Sequence, residues 1–138
     1  MAEVLILDAE ALSALAHATA RSVAAARARA ILAVAHEHRA LVRVPSAVLA
    51  EVCRGGARDA AVNRVLASGA IAIVNLDAAI ARRAGALLAA AKMSSAHAVD
   101  AFVVATAAAL GRAIVATGDP DDIGRLAARE PHVSVYAL

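Results

Sequence analysis

Short apolar runs alternate with alanine-rich helical segments along the chain, and this alternation restricts the folds open to it. Each run is too short for a stable helix and is bounded by turn or capping residues, as is typical of strands buried in a sheet. The predicted strands cover residues 4–7, 41–44, 70–76, 113–116 and 133–136. Because helices connect these strands, they must run mostly parallel. We therefore predict an α/β fold with a mostly parallel central sheet of about four to five strands flanked by helices.

The segments between the strands carry helical periodicity and capping residues. Predicted helices cover residues 9–18, 47–54, 58–67, 78–92, 96–110 and 121–129, and another, capped by Thr19 or Ser22, runs to about residue 39. Because neither a linker nor a repeat interrupts this pattern, residues 1–138 are predicted to form a single domain.

Composition predicts a soluble cytoplasmic protein. Hydrophobic residues make up 62% of the chain, but its apolar stretches fall short of the roughly 20 residues that a membrane span requires. Residues 1–3 lack the positive charge that begins a signal peptide. Cys53 is the only cysteine, which rules out an intrachain disulfide.

Four acidic residues follow predicted strands or lie in the helices beyond them: Asp8, Glu51, Asp100 and Asp119. The carboxyl ends of parallel strands share one edge of a sheet, so acids far apart in sequence can meet there. Without a counter-charge such carboxylates repel one another and resist ionisation. A bound divalent cation makes the cluster favourable, so the pattern indicates a metal-dependent hydrolase.

Asp8 and Glu51 also have structural explanations. Asp8 is placed to cap the helix that begins at residue 9, and such caps are common. Glu51 lies among apolar residues in a short predicted helix, where it could be solvated or could pair with Arg54 or Arg58. Both explanations remain open from the sequence.

Asp100 is the hardest of the acids to explain structurally. It is the only acidic or basic residue between Lys92 and Arg112 apart from His97, in a segment otherwise suited to burial. A buried carboxylate is costly without a partner, so a metal ion or a positive group should lie nearby. The alternative is a first-turn acid favoured by the helix dipole and paired with His97.

Asp119 belongs to a cluster of three aspartates with Asp121 and Asp122. Turn formation and capping explain one or two of them. We interpret Asp119 as a ligand, Asp121 as the cap of the next helix and Asp122 as a secondary ligand. Asp77 also follows a strand, but capping is a sufficient role for it.

Other kinds of site have little support. The histidines show no zinc-site spacing, no glycine-rich phosphate loop follows a strand, and the serines lack a nucleophile-elbow context. Phe102 and Tyr136 are the only aromatic residues, so any nucleic acid would be held mainly through its phosphate backbone rather than by stacking.

The order and surroundings of the acids resemble the PIN-domain family, and most closely its VapC-type toxin ribonucleases. Residues 5–8, 44–52, 97–107 and 113–119 resemble the four acidic motifs of that family, so the resemblance covers essentially the whole chain. Thr117 matches a hydroxyl that commonly precedes the fourth acid. Residues 9–11 depart from the pattern, because many members carry serine or threonine where this chain has Ala-Glu-Ala.

The resemblance implies a Mg²⁺- or Mn²⁺-dependent endoribonuclease that is the toxin of a type II toxin-antitoxin system. The implied partners are an RNA substrate, a cognate antitoxin and a second copy of the chain, and the implied products carry a 5′-phosphate and a 3′-hydroxyl. The site residues are Asp8, Glu51, Asp100 and Asp119, all four catalytic and metal-binding, with Asp122 as a further metal ligand.

Two other functions are retained as alternatives. One is a folded protein that binds an antitoxin or RNA without cutting. The other is a phosphatase similar to the haloacid dehalogenases, whose second aspartate would stand where this chain has Glu10. The basic candidates for guiding an RNA backbone are the arginines Arg54, Arg82, Arg83 and Arg112, although a solvated surface charge is the favoured explanation for any one of them.

Overall fold

Five parallel strands form one sheet in the computed structural model, which describes residues 3–17 and 22–138. The strands are β1 (Val4–Leu7), β2 (Leu41–Pro45), β3 (Ile71–Val74), β4 (Ala113–Thr117) and β5 (Val133–Ala137). Their spatial order is β3-β2-β1-β4-β5, and every neighbouring pair is parallel. The predicted α/β fold is confirmed, with a sheet that is wholly rather than mostly parallel.

Seven α-helices flank the sheet in the described part of the chain. They are α1 (Ala9–Ala16), α2 (Val23–Glu37), α3 (Leu49–Val52), α4 (Arg58–Leu66), α5 (Ala78–Ala91), α6 (Ala98–Leu110) and α7 (Pro120–Leu126). Short 3-10 turns, Ser46–Val48 and Ser95–His97, precede α3 and α6. Among residues 3–17 and 22–138, no helix combines the length and the apolar character needed to cross a membrane.

The core lies around the central strand β1 and the helix α6. All four side chains of β1 are buried, as expected for a strand covered on both faces. Helix α6 buries a mixture of valine and alanine, and these small side chains let it pack closely on its neighbours. This packing fixes the first turn of α6, which carries Asp100.

Side-chain caps begin three of the helices. Asp8 accepts a hydrogen bond from the Ala11 amide (2.8 Å), and Asp77 accepts one from the Ile80 amide (2.8 Å). Ser22 caps α2 by accepting from the Ala25 amide at 3.1 Å. Of the two alternative caps for that helix, Ser22 is therefore confirmed, whereas Thr19 lies outside the described residues.

The strand predicted at residues 70–76 is shorter than expected. Its partner β2 ends at Pro45, which pairs with Val74, so the ladder between the two strands stops there. Proline also lacks the amide needed to continue such a ladder. The Leu76 amide instead donates to the Ser46 hydroxyl at 3.0 Å.

The two predicted helices nearest the acids also have different bounds. Residues 47–54 form a 3-10 turn and then α3, which ends because Cys53 has an extended backbone (φ −85°, ψ 133°). Helix α7 begins at Pro120 rather than Asp121, since proline suits the first helical position. Asp119 therefore occupies the capping position, and the prediction that Asp121 is the cap is wrong.

Candidate active site

Asp8 and Asp119 meet at the carboxyl edge of the sheet because β1 and β4 are neighbours. The Asp8 amide donates to the Ala116 carbonyl at 3.2 Å, so β1 and β4 end side by side. The chain builds the β3 side of the sheet first and then returns to add β4 and β5 on the other side of β1. The crevice between β1 and β4 is thus the switch point at which ligands bind in open parallel sheets.

Helices α3 and α6 bring the other two predicted acids to the same place. An open cavity of about 260 Å³ lies at this edge, and the ionisable side chains that line it are Asp8, Glu10, Glu51, His97, Asp100 and Asp119. The structure therefore brings all four acids of the predicted site together around one cavity. Their catalytic role stays a prediction.

Asp8 is almost completely buried, with 6% of its surface exposed. Burial raises the pKa of its carboxyl, while the Thr117 hydroxyl and the amides of Ala11 and Gly118 oppose the rise. Asp8 thus caps α1 and lines the cavity at the same time, so its structural and functional explanations are compatible.

Asp100 has the most perturbed environment among the acids of the cavity. Burial raises the pKa of its carboxyl to about 6, with further contributions from the negative charges of Asp119, Asp8, Glu51 and Asp122, in that order. Half-buried and surrounded by like charges, Asp100 resists ionisation unless a positive charge is present. The structural alternative, a simple first-turn acid, does not account for this concentration of charge.

The turn after β4 positions Asp119 and Asp122. The Asp119 amide donates to the Thr117 hydroxyl at 2.8 Å, which fixes the backbone where it leaves the strand. Loss of hydration and the neighbouring charge of Asp122 raise the pKa of the Asp119 carboxyl. Asp122 is partly buried beside His97, whereas Asp121 is exposed.

Two side chains that line the cavity, Glu10 and His97, were not predicted as site residues from the sequence. Glu10 counted only as a departure from a family pattern, yet its carboxylate lies directly against Gly118, where a Cβ would overlap it. His97 was considered only as a partner for Asp100, and it contacts Asp122 with 3.4 Å between Nδ1 and Oδ2. The available signal for His97 was its position three residues before Asp100, a spacing that places two helical residues on one face.

Three side chains at the cavity fit a divalent cation: His97 and Asp100, which line it, and Asp122, which contacts His97. One ligand atom from each of His97, Asp100 and Asp122 lies within 4.8 Å of the other two. Carboxylate oxygens are the ligands that Mg²⁺ and Mn²⁺ prefer. A cation would offset both the burial and the repulsion that raise the pKa of Asp100.

Several other candidates lie away from the cavity. Asp77 caps α5 and does not line the cavity, as expected. Arg83 pairs with Glu130 at 3.0 Å, Arg82 is exposed on α5, and Arg112 precedes β4 at the opposite edge of the sheet. Of the four candidate arginines, Arg54 is the one that lies in a groove adjoining the acidic cavity.

Comparisons with known proteins agree with this architecture. A chain in the crystal structure of VapBC2 from Rickettsia felis, bound to a DNA fragment from their promoter, is similar with a TM-score of 0.66 and 14% identity, over 97% of this chain and 98% of that one. A chain of a toxin-antitoxin complex from Klebsiella pneumoniae is similar with a TM-score of 0.67 and 22% identity, over 97% and 99%. At these identities the likeness shows the fold alone.

Comparison with curated protein sequences finds no significant match. The sequence profile of the PIN domain, however, matches residues 5–128. The matched residues include β2 to β4, all of β1 except Val4, and all five predicted ligand carboxylates. The chain therefore belongs to the PIN domain family.

Proposed function

We propose that the protein is a metal-dependent endoribonuclease and the toxin of a type II toxin-antitoxin system. The observation that carries this proposal is the convergence on one open cavity of carboxylates that follow β1 and β4 and lie in α3 and α6. Burial, together with the charges of these neighbours, raises the pKa of Asp100 to about 6. Membership of the PIN domain family, whose members include nucleases, supports the same reaction class.

In this proposal, Asp8, Glu51, Asp100 and Asp119 hold one or two Mg²⁺ or Mn²⁺ ions, with Asp122 as a further ligand. A cation held by these residues would act as a Lewis acid and would supply an activated water for hydrolysis of a phosphodiester. The chain supplies orientation: the Ala11 amide holds the Asp8 carboxylate, and the Thr117 hydroxyl holds the Asp119 backbone. Val99 and Val103 form an apolar wall of the cavity.

A groove beside the cavity that carries two arginines supports RNA as the substrate. This groove, of about 380 Å³, is lined by Ser13, His17, Arg54 and Arg58 and shares Glu10 and Glu51 with the acidic cavity. Arginine side chains bind phosphate oxygens regardless of base sequence. An RNA backbone lying in the groove would therefore pass next to the carboxylates.

The backbone around Arg54 is well fixed for this role. The Asp59 carboxylate accepts hydrogen bonds from the Arg54 amide (3.0 Å) and the Gly55 amide (2.8 Å), and these bonds lower its pKa. The Arg54 guanidinium donates to the carbonyls of Ala50 (2.6 Å) and Cys53 (2.9 Å), which holds it at the end of α3.

An antitoxin and a homodimer are the proposed protein partners. The two similar solved chains come from toxin-antitoxin assemblies, which supports an antitoxin for this chain too. Exposed apolar residues on α2 and β2, among them Val23 (67% exposed) and Leu41 (52%), offer surface for a protein contact.

The proposal predicts RNA cleavage that depends on a divalent cation. Protein freed of any antitoxin is incubated with transfer and ribosomal RNA in Mn²⁺ or Mg²⁺, and in parallel with EDTA. We expect cleavage with either ion, products bearing a 5′-phosphate, and a rate at least about a hundredfold lower in EDTA, because the carboxylates alone cannot activate water.

An Asp8→Asn variant purified in the same way tests the carboxylate, and a mock purification from cells without the gene measures contaminating ribonucleases, whose cleavage is subtracted. Cleavage that persists in EDTA and in this variant would contradict the carboxylate mechanism. Binding of RNA or antitoxin with no cleavage under any condition would favour the alternative of a non-catalytic binding protein.

A further inference from the structure

His97 adds a nitrogen donor to a cavity whose other ionisable side chains are carboxylates. It ends the 3-10 turn Ser95–His97, which Ser94 caps by accepting from the Ala96 amide at 3.3 Å. Its ring is half-buried on the wall of the acidic cavity, and its Nδ1 lies 3.4 Å from Asp122 Oδ2. The ring therefore already faces a predicted ligand carboxylate.

The arrangement of His97, Asp100 and Asp122 suits direct coordination. One ring nitrogen and one oxygen from each carboxylate lie within 4.8 Å of one another, a spacing that lets three ligands share one ion. In the described part of the chain, His97 is the one imidazole that lines this cavity. Because the ring is already partly buried, it loses less conformational entropy when it binds an ion.

We propose that His97 is a direct ligand of the cation and that the site therefore binds Mn²⁺ in preference to Mg²⁺. Both ions prefer oxygen ligands, but Mn²⁺, as a transition-metal ion, accepts an imidazole nitrogen more readily than Mg²⁺, which demands near-ideal octahedral oxygen coordination. An imidazole ligand therefore lowers the affinity of the site for Mg²⁺ more than its affinity for Mn²⁺. This inference rests on the proposed function, because it concerns the ion that the carboxylates would hold.

A different role for His97 makes the opposite prediction. As an imidazolium paired with Asp122, the ring would compete with the cation for that carboxylate. Removing it would then strengthen cation binding, whereas removing a ligand weakens it. The sign of the change separates the two roles.

Isothermal titration calorimetry of the metal-free, full-length protein provides the first test. We compare Mn²⁺ and Mg²⁺ binding by the wild type, His97→Gln and His132→Gln, the last being an exposed histidine at the opposite edge of the sheet. In His97→Gln, Mn²⁺ affinity should fall at least about tenfold and Mg²⁺ affinity should fall less. His132→Gln should match the wild type for both ions.

Pulsed electron paramagnetic resonance of the bound Mn²⁺ provides a second readout that does not depend on activity. The wild type and His132→Gln should show ¹⁴N coupling from a directly bound imidazole, and His97→Gln should not. Mn²⁺ binding to the wild type without this coupling, or tighter binding by His97→Gln, would overturn the inference and leave the proposed function intact. Failure of the wild type to bind either ion would overturn both.

Discussion

Replacing Asp100 by asparagine is expected to lower the rate of metal-dependent RNA cleavage by about 10³-fold. The carboxylate lies at the first turn of α6, close enough to Asp8, Glu51 and Asp119 for their charges to raise its pKa. Asparagine keeps the shape but removes the charge, and losing one preorganised electrostatic contact in an active site costs about 10²–10³-fold. The measurement is the initial rate of RNA cleavage in Mn²⁺.

Asp77→Asn is the matched control for this prediction. Asp77 also follows a strand, but it caps α5 away from the cavity, and asparagine is an equally good cap. We expect Asp77→Asn to cleave within about twofold of the wild-type rate, as befits a surface change outside the site. An Asp100→Asn variant that folds normally and cleaves at more than a tenth of the wild-type rate would contradict the assignment of Asp100.

Asp100 is also expected to make the stability of the metal-free protein depend on pH. Its pKa is about 6 in the folded protein and 3.8 without these neighbours. The folded state therefore binds the proton more tightly, and the contribution of Asp100 to stability is complete below about pH 4 and is lost as the pH rises through about 6. Because the group is only half-buried and solvent screens its interactions, the loss is about 1–2 kcal/mol.

The difference in unfolding free energy between Asp100→Asn and the wild type isolates this effect from other titrating groups. In the absence of divalent ions, Asp100→Asn should gain about 1–2 kcal/mol relative to the wild type between pH 4 and pH 7. Urea unfolding at a series of pH values measures the difference. A constant difference across this range would show that Asp100 ionises without hindrance.

Bound divalent cations should offset the loss of stability that ionised Asp100 causes in the metal-free protein. At pH 7.5, Mn²⁺ at a hundredfold excess over its Kd stabilises a protein that binds it only when folded by about 2.7 kcal/mol. For a chain of 138 residues this corresponds to a rise in Tm of about 9 °C. Asp100→Asn should show a much smaller rise, and an equal rise in both proteins would place the bound ion elsewhere.

The sequence was sufficient to predict the fold because its signals are local. Strand β1 matches its prediction residue for residue, and short apolar runs joined by helices leave little choice but a parallel sheet. Pairing partners are not local, and that is why β3 was predicted too long. Its length is set by where β2 ends at Pro45, which the sequence of β3 does not reveal.

The meeting of the four acids was predictable for a related reason. Asp8 and Asp119 follow strands that end at one edge of the sheet, so their proximity follows from the topology. The position of Glu10 depends instead on how the first turn of α1 packs against Gly118. The position of His97 depends on how the 3-10 turn Ser95–His97 packs against α7. Such tertiary contacts leave only weak traces in a single sequence.

We propose that Asp8, Glu51, Asp100 and Asp119 jointly bind a divalent cation at the carboxyl edge of the sheet. Anomalous diffraction from crystals soaked in Mn²⁺ tests it most directly, because the signal locates manganese itself. We expect an anomalous peak in the acidic cavity, about 2.0–2.5 Å from carboxylate oxygens of at least two of these residues. Well-diffracting crystals with manganese bound elsewhere and no peak in the cavity would contradict it.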